Sequence, residues 1–228
     1  MTTSQSPRAL PDAARAGLLL ATLAGLAALA YPRPRLLAHT VRNALRPDID
    51  AAGVQELSAG LSDDPDAIRA EVLSTIVPYE RDWAVFGVPY YFPTLREALE
   101  NGRGDCKSQV LVLASLLNAK GIPYRLLASL DHVWAEYPGK TPTAMEDPAV
   151  AVAEYRDGRW RPLRPARLRP QAHFETSLDE YWRGAARGRR LLFAGALLLL
   201  AALTVGRAAR AEPAEPLAGG GPGVSPTA

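Results

Sequence analysis

Two uncharged runs divide this chain more sharply than any other feature: residues 16–31 and residues 191–206 each hold 16 positions without an acidic or basic side chain. A helix needs about 20 apolar residues to cross a bilayer, and at least roughly 17. Both runs fall at that short edge. Arg15, Arg190 and Arg207 stand at their ends, where long basic side chains snorkel to the headgroups, and Tyr31 suits the interface. The expectation is a pair of membrane helices with the rest of the chain between them. The first run has a second reading as a cleaved signal peptide, because Ala28-Leu29-Ala30 fits a small-residue cleavage pattern after an apolar core.

At 228 residues and 48% apolar content, the chain can build one core with accessory segments. Its organisation reads as an N-terminal tail (1–15), a membrane helix (16–31), a linker with helical character (36–61) and a folded domain (62–175). A connecting helix (177–190), the second membrane helix (191–206) and an Ala, Pro and Gly tail (207–228) that should be disordered complete it. With 26 basic and 24 acidic residues, the net charge of +2 gives no field that recruits nucleic acid, and no basic stripe interleaved with aromatics is present. The single cysteine, Cys106, excludes an internal disulfide and any multi-cysteine metal site. Neither a metal nor a cofactor is called for.

Within the domain, helix signals come first. Ser62-Asp63-Asp64-Pro65 opens a helix whose apolar face is Ile68, Val72, Leu73 and Ile76, and Pro78 stops it. Thr94 with Glu97 forms a capping box for a short helix ending near Asn101-Gly102. Asp105 caps a third helix, from Cys106 to about Lys120, which is apolar nearly all round and therefore reads as the buried core helix. The period then changes to two. Residues 124–130 and 132–137 read as strands, with His132, Trp134 and Glu136 sharing a face. Residues 150–155 and 160–163 read as a hairpin closed by Asp157-Gly158. Ser177 with Glu180 caps the connecting helix. Helices followed by strands imply an α+β domain with an antiparallel sheet packed on the core helix.

The chemistry concentrates at Gly102-Arg103-Gly104-Asp105-Cys106. A cysteine in the first turn of a helix meets free N–H groups and the positive end of the helix dipole, both of which favour a thiolate. Glycines before it allow close approach of another backbone, and the Cys106 amide can face a developing oxyanion. His132 lies 26 residues later on a strand that follows the helix directly, placed to take the thiol proton and return it to a leaving amine. Asp147, just before the hairpin, is the first candidate to orient the His132 ring. Glu136 shares the His132 face but stands about 13 Å along the strand, too far for that task. His39 and His173 read as surface residues.

Tyr79, Thr94-Leu95 with Glu97, Gly102-Arg103-Gly104-Asp105-Cys106-Lys107, Leu116-Leu117 to Gly121-Ile122-Pro123, and His132-Val133-Trp134-Ala135-Glu136 together resemble the bacterial transglutaminase-like core. The resemblance covers about residues 64–165, under half the chain, and its most specific parts are the Gly-Asp-Cys turn and the His-x-Trp-x-Glu strand. It implies a papain-like fold, a Cys-His-Asp triad carried here by Cys106 and His132, and Trp134 as packing that shields the site. The sequence departs from the family where an aspartate commonly follows the last hairpin strand: Trp160-Arg161-Pro162-Leu163-Arg164-Pro165 has arginine there. Either Asp147 substitutes for that aspartate or the triad is incomplete.

The function expected is a membrane-bound thiol enzyme acting on peptide or protein amides through a Cys106 thioester, by hydrolysis or acyl transfer. The alternative is a binding module of the same fold that has lost turnover, motivated by Arg164. Arginine counts lean towards a cytoplasmic domain. Arg33, Arg35, Arg42 and Arg46 outnumber Arg8 and Arg15 across the first run, and Arg183, Arg187, Arg189 and Arg190 outnumber Arg207 and Arg210 across the second.

Overall fold

The computed structural model describes residues 11–208, apart from 142, 144, 166, 168, 169 and 184. The N-terminal tail up to residue 10 and the tail from 209 onward, expected to be disordered, lie outside the described residues. Helix α1 (Asp12–Ala30) contains the first uncharged run. Four residues later Pro34, suited to a first helical turn by its missing N–H, opens α2 (Pro34–Leu45). Residues Ala16–Ala30 and α2 together have the length and composition of a span but are bent by 76°. No single helix among the described residues is long and apolar enough to cross a membrane. Helix length alone therefore does not carry the two-span expectation. The second uncharged run lies in α9 (Arg187–Ala208), a helix of 22 residues with Arg187, Arg189, Arg190 and Arg207 near its ends, and α9 packs against α1.

A single turn at Ala52–Val54 leads into α3 (Gln55–Ala59), so the linker is helical in part. Helix α4 (Pro65–Glu71) starts as its sequence dictates, with Pro65 in the first turn and the Asp64 carboxylate accepting from the Asp66 amide. It then widens into a π-helical turn over Val72–Ile76, where the Val77 amide donates to the Val72 carbonyl at 2.8 Å. Ile68 and Val72 are fully buried from this element. A short α5 (Asp82–Val85) precedes α6 (Leu95–Asn101), where Thr94 and Glu97 form the expected capping box and Gly102, at φ 58°, closes the helix in the left-handed region.

Helix α7 (Cys106–Ala119) is the axis of the domain. The Asp105 side chain accepts from the Lys107 amide, and every residue from Val110 to Leu117 is buried. With no polar face to give to water, α7 is enclosed by α3, α4, α6 and the sheet. The sheet, four-stranded among the described residues, is antiparallel in the order β2-β1-β3-β4, with β1 (Arg125–Ala128), β2 (Val133–Glu136), β3 (Ala153–Arg156) and β4 (Arg159–Pro162). β2 lies against α7. Asp157 and Gly158, both at positive φ, form the tight turn between β3 and β4. The architecture is α+β, as the order of sequence signals requires.

One boundary differs from expectation. Helix α8 (Pro170–Ser177) runs on into a π-helical segment, Leu178–Arg183, so Ser177 is interior to a longer helical stretch and is no N-cap. Pro170 supplies the start instead.

The backbone that approaches Cys106 is closely packed. The Gly104 amide donates to the Pro78 carbonyl at 3.1 Å, its carbonyl accepts from the Glu80 amide at 3.0 Å, and Gly104 bridges Tyr79 in parallel. A Cβ on Gly104 would lie 2.5 Å from the Ser108 Cβ. Gly104→Ala should therefore cost about 2 kcal/mol by overpacking. Gly121→Ala, which meets open space but sits at φ 67°, should cost about 1 kcal/mol from backbone strain alone. Paired urea or thermal melts read the difference; equal destabilisation would remove the steric account of Gly104.

Candidate active site

Cys106 is the first residue of α7 and is half buried. Two features hold it there. Asp105 caps the helix, and the Gln109 side chain donates to the Val77 carbonyl at 3.0 Å, clamping the first turn to the segment before Tyr79. Beside it, the Lys107 ammonium is buried and ion-paired with Asp82 at 3.0 Å and with Asp105, over the Tyr90 ring at 4.2 Å. Burial works against that charge, but Asp105, Asp82 and Cys106 outweigh it and hold Lys107 well above the usual lysine range. Burial, reinforced by the Asp105 charge, pushes Asp82 up to about 7.

His132 sits immediately before β2, at the mouth of the β1–β2 hairpin. The Ser129 amide donates to the His132 carbonyl at 2.9 Å, and the His132 amide donates to Ser129 Oγ at 3.1 Å. Since β2 packs on α7, the ring comes near enough to Cys106 for the sulfur to raise its affinity for a proton. Trp134, buried on the same strand face, stacks on the imidazole with ring centres 5.8 Å apart and planes 14° from parallel. It covers one face of the ring.

The carboxylate against the imidazole is Glu146, not Asp147. Glu146 Oε1 stands 3.5 Å from His132 Nε2. Asp147 instead accepts from the Ala149 amide at 2.9 Å, capping the turn Pro148–Val150. The expectation for Asp147 assumed that the next strand returns beside His132. That strand, β3, pairs with β1 on the side away from β2, so the hairpin never runs along the His132 strand. The connecting segment supplies the carboxylate before it turns towards β3.

Glu146 is fixed by charges that the sequence did not point to. Arg69 on α4 donates to Glu146 Oε2 at 3.0 Å, and the buried Lys140 ammonium stands 2.9 Å from the same oxygen. Lys140 also pairs with Glu136 at 3.3 Å, and Glu136 accepts from the Trp134 indole at 3.2 Å. Glu136 is thus an ion-pair partner, as its place on the strand implied. One turn before Arg69, Asp66 accepts from the Tyr137 hydroxyl at 2.7 Å and from the Thr141 amide at 3.1 Å. Residues 137–146 are stapled to α4 by these two side chains.

The electrostatics follow from the contacts. Burial pushes the pKa of His132 down, but the neighbouring Cys106 and Glu146 outweigh it and raise it to about 9. Burial raises Glu146, yet His132, Lys140 and Arg69 hold it down to about 2. An imidazolium between a sulfur and a carboxylate is the favoured state at neutral pH. Among the described residues no cluster of histidine, cysteine and carboxylates could hold a metal ion.

The other histidines stand apart. His39, expected on the surface, is half buried on α2, 3.2 Å from Glu97 Oε2 and 2.7 Å from Asn43 Nδ2, and stacked on Tyr91. It ties α2 to the capping box of α6. The side chain of His173 lies outside the described residues. In comparisons with protein-family models, curated proteins and solved structures, nothing matches this chain.

The Glu146 environment sets a pH dependence. A carboxylate held below its ordinary value of 4.5 adds stability that is complete above that value and is lost as pH falls towards 2. The melting temperature of wild type should exceed that of Glu146→Gln most at pH 5 to 7, and the gap should close on acidification to about pH 2. Asp147→Ala removes the cap of the Pro148–Val150 turn, worth about 1 kcal/mol. A gap between wild type and Glu146→Gln that persists unchanged at pH 2 contradicts this assignment.

Proposed function

We propose that the chain is a transglutaminase-like thiol enzyme, a papain-like amide hydrolase or acyltransferase that acts on peptide or protein amides at a membrane. The observation that carries this reading is the line Cys106, His132, Glu146, in which the imidazole lies near enough to the sulfur for Cys106 to raise its proton affinity and presents Nε2 to a carboxylate at 3.5 Å. A thiol beside an imidazole suffices for an activated sulfur nucleophile, and the carboxylate adds orientation and charge to the ring.

The steps follow from the geometry. With Nε2 occupied by Glu146, Nδ1 is the nitrogen that exchanges a proton with Sγ. The thiolate attacks the amide carbonyl, a C–S bond forms, and negative charge moves to the carbonyl oxygen, beside the first N–H groups of α7, which have no intrahelical acceptors. The imidazolium gives its proton to the leaving amine as the C–N bond breaks, leaving a thioester on Cys106. Water or a second amine then loses a proton to His132 and attacks the thioester. Product leaves, the thiolate re-forms, and the proton stays on the imidazole. Glu146 keeps the ring in register and favours its charged form; Trp134 holds it flat and shields it.

The reading of an inactive module rested on Arg164 at the position where relatives of the resembled family carry an aspartate. Glu146 supplies a carboxylate from another segment, so that observation no longer argues against turnover. Placement at the membrane rests on the apolar runs in α1 and α9, and placement on the cytoplasmic side rests on the arginine distribution.

Covalent trapping tests the reading. Acid-quenched intact-mass spectra after mixing with an activated peptide ester should show one acyl adduct, on Cys106, that decays in water and decays faster when a primary amine is added. Cys106→Ala should give none, and His132→Ala should slow adduct formation by about a hundredfold or more. An adduct elsewhere, or one that forms at the wild-type rate without His132, would sink the proposal.

A further inference from the structure

A cavity of about 460 Å³, almost wholly apolar in its lining, lies where the two apolar helices meet the domain. Ala30, the last residue of α1, and Phe193 and Leu197, in the first turns of α9, form one side. Trp83, Tyr90 and Trp182 form the other. Its size falls in the range of small-ligand sites, about 300 to 1,000 Å³. Its position is the informative feature. It sits at the level where the chain leaves one uncharged run and enters the other, the level at which tryptophan and tyrosine collect at a membrane boundary.

The rim is cationic. The Arg189 guanidinium lies over the Trp83 ring at 4.9 Å and donates to the Gly87 carbonyl at 2.8 Å, so it is fixed at the edge of the cavity wall. Arg187 and Arg190 are its neighbours on α9. An apolar slot with the Arg189 guanidinium fixed beside its Trp83 wall is complementary to an amphiphile with an anionic head. Away from the cavity, α9 exposes Leu191 and Leu198 at 75% and 72%, a surface that suits a hydrocarbon surround.

We propose that this cavity takes one acyl chain of an anionic membrane phospholipid, whose headgroup lies against Arg189. The inference rests on the reading that α1 and α9 enter a bilayer, and it does not depend on turnover at Cys106. It also gives the site an address: Tyr90 is both a wall of the cavity and the ring under Lys107, next to the nucleophile. A bound chain would set the face of the domain that carries Cys106 at the headgroup level.

Photolabelling of the full chain in nanodiscs tests this. Phosphatidylglycerol with a diazirine at the end of one acyl chain is compared with phosphatidylcholine bearing the same chain, and adducts are mapped by peptide mass spectrometry. Adducts should concentrate on Trp83, Tyr90, Trp182 and Phe193, and the anionic lipid should label them about fivefold more, as expected for roughly 1 kcal/mol from one arginine near the headgroup. Arg189→Gln should bring both lipids to the same level. Ala30→Trp, which fills the slot, should remove cavity labelling and leave labelling of Leu198 unchanged. Cys106→Ala should label as wild type. Adducts confined to exposed leucines such as Leu191 and Leu198, or equal labelling by both lipids that ignores Arg189→Gln, would overturn the inference. Protein that fails to co-elute with the discs would overturn it together with the membrane reading, whereas protein that co-elutes without cavity adducts overturns the inference alone.

Discussion

A helix that is apolar on nearly every face cannot lie at a surface, and α7 imposes that condition on everything around it. Burial of each residue from Val110 to Leu117 requires cover on all sides, and α3, α4, α6 and β2 supply it. The consequence for chemistry is at the helix end. Once α7 is fixed on all sides, its N-terminus, its free N–H groups and Cys106 are fixed with it. The short backbone bonds of Gly104 to Pro78 and Glu80 then seal the approach. The nucleophile is held by the core, not by a mobile loop.

The partner groups reach Cys106 by two different routes. His132 comes with β2, which the core helix holds directly. Glu146 comes on a segment with no strand or helix among its described residues, and side-chain contacts to α4 and Lys140, with a bond from its amide to the Thr143 carbonyl, place it. Asp66 and Arg69, one turn apart on α4, take the two ends of that segment, and Lys140 closes the charge balance around Glu146. A buried carboxylate without such partners would take up a proton and release the imidazole. The cations around Glu146 therefore belong to the site as much as the carboxylate does.

Much of this was legible in the sequence because it depends on neighbours in the chain. The caps at Asp64, Thr94 and Asp105, the left-handed Gly102, the Asp157-Gly158 turn and the apolar run of α7 are local devices, and each appears where its residues stand. The pairing of Cys106 with His132 was legible because the two lie on consecutive elements. Glu146 was not, because the choice between two adjacent carboxylates depends on contacts to Arg69, 77 residues away, and on β3 joining the far side of β1. No local pattern encodes that. The π-helical turn at Val72–Ile76 and the start of α8 at Pro170 were missed for the same reason, since packing and not capping signals decides them. His39 read as a surface residue because its partner Glu97 lies 58 residues away.

The central claim is that Cys106 and His132 form a sulfur nucleophile with a positively charged imidazole beside it. Alkylation by two reagents of equal bite and different charge tests this most directly. Anionic iodoacetate is attracted to such an imidazolium and neutral iodoacetamide is not. The account predicts that near pH 6.5 iodoacetate modifies Cys106 faster than iodoacetamide does. It also predicts that the preference disappears in His132→Ala and weakens in Glu146→Gln. A thiol that reacts with both reagents as an ordinary exposed cysteine does, or a preference for iodoacetate that survives removal of His132, would contradict it.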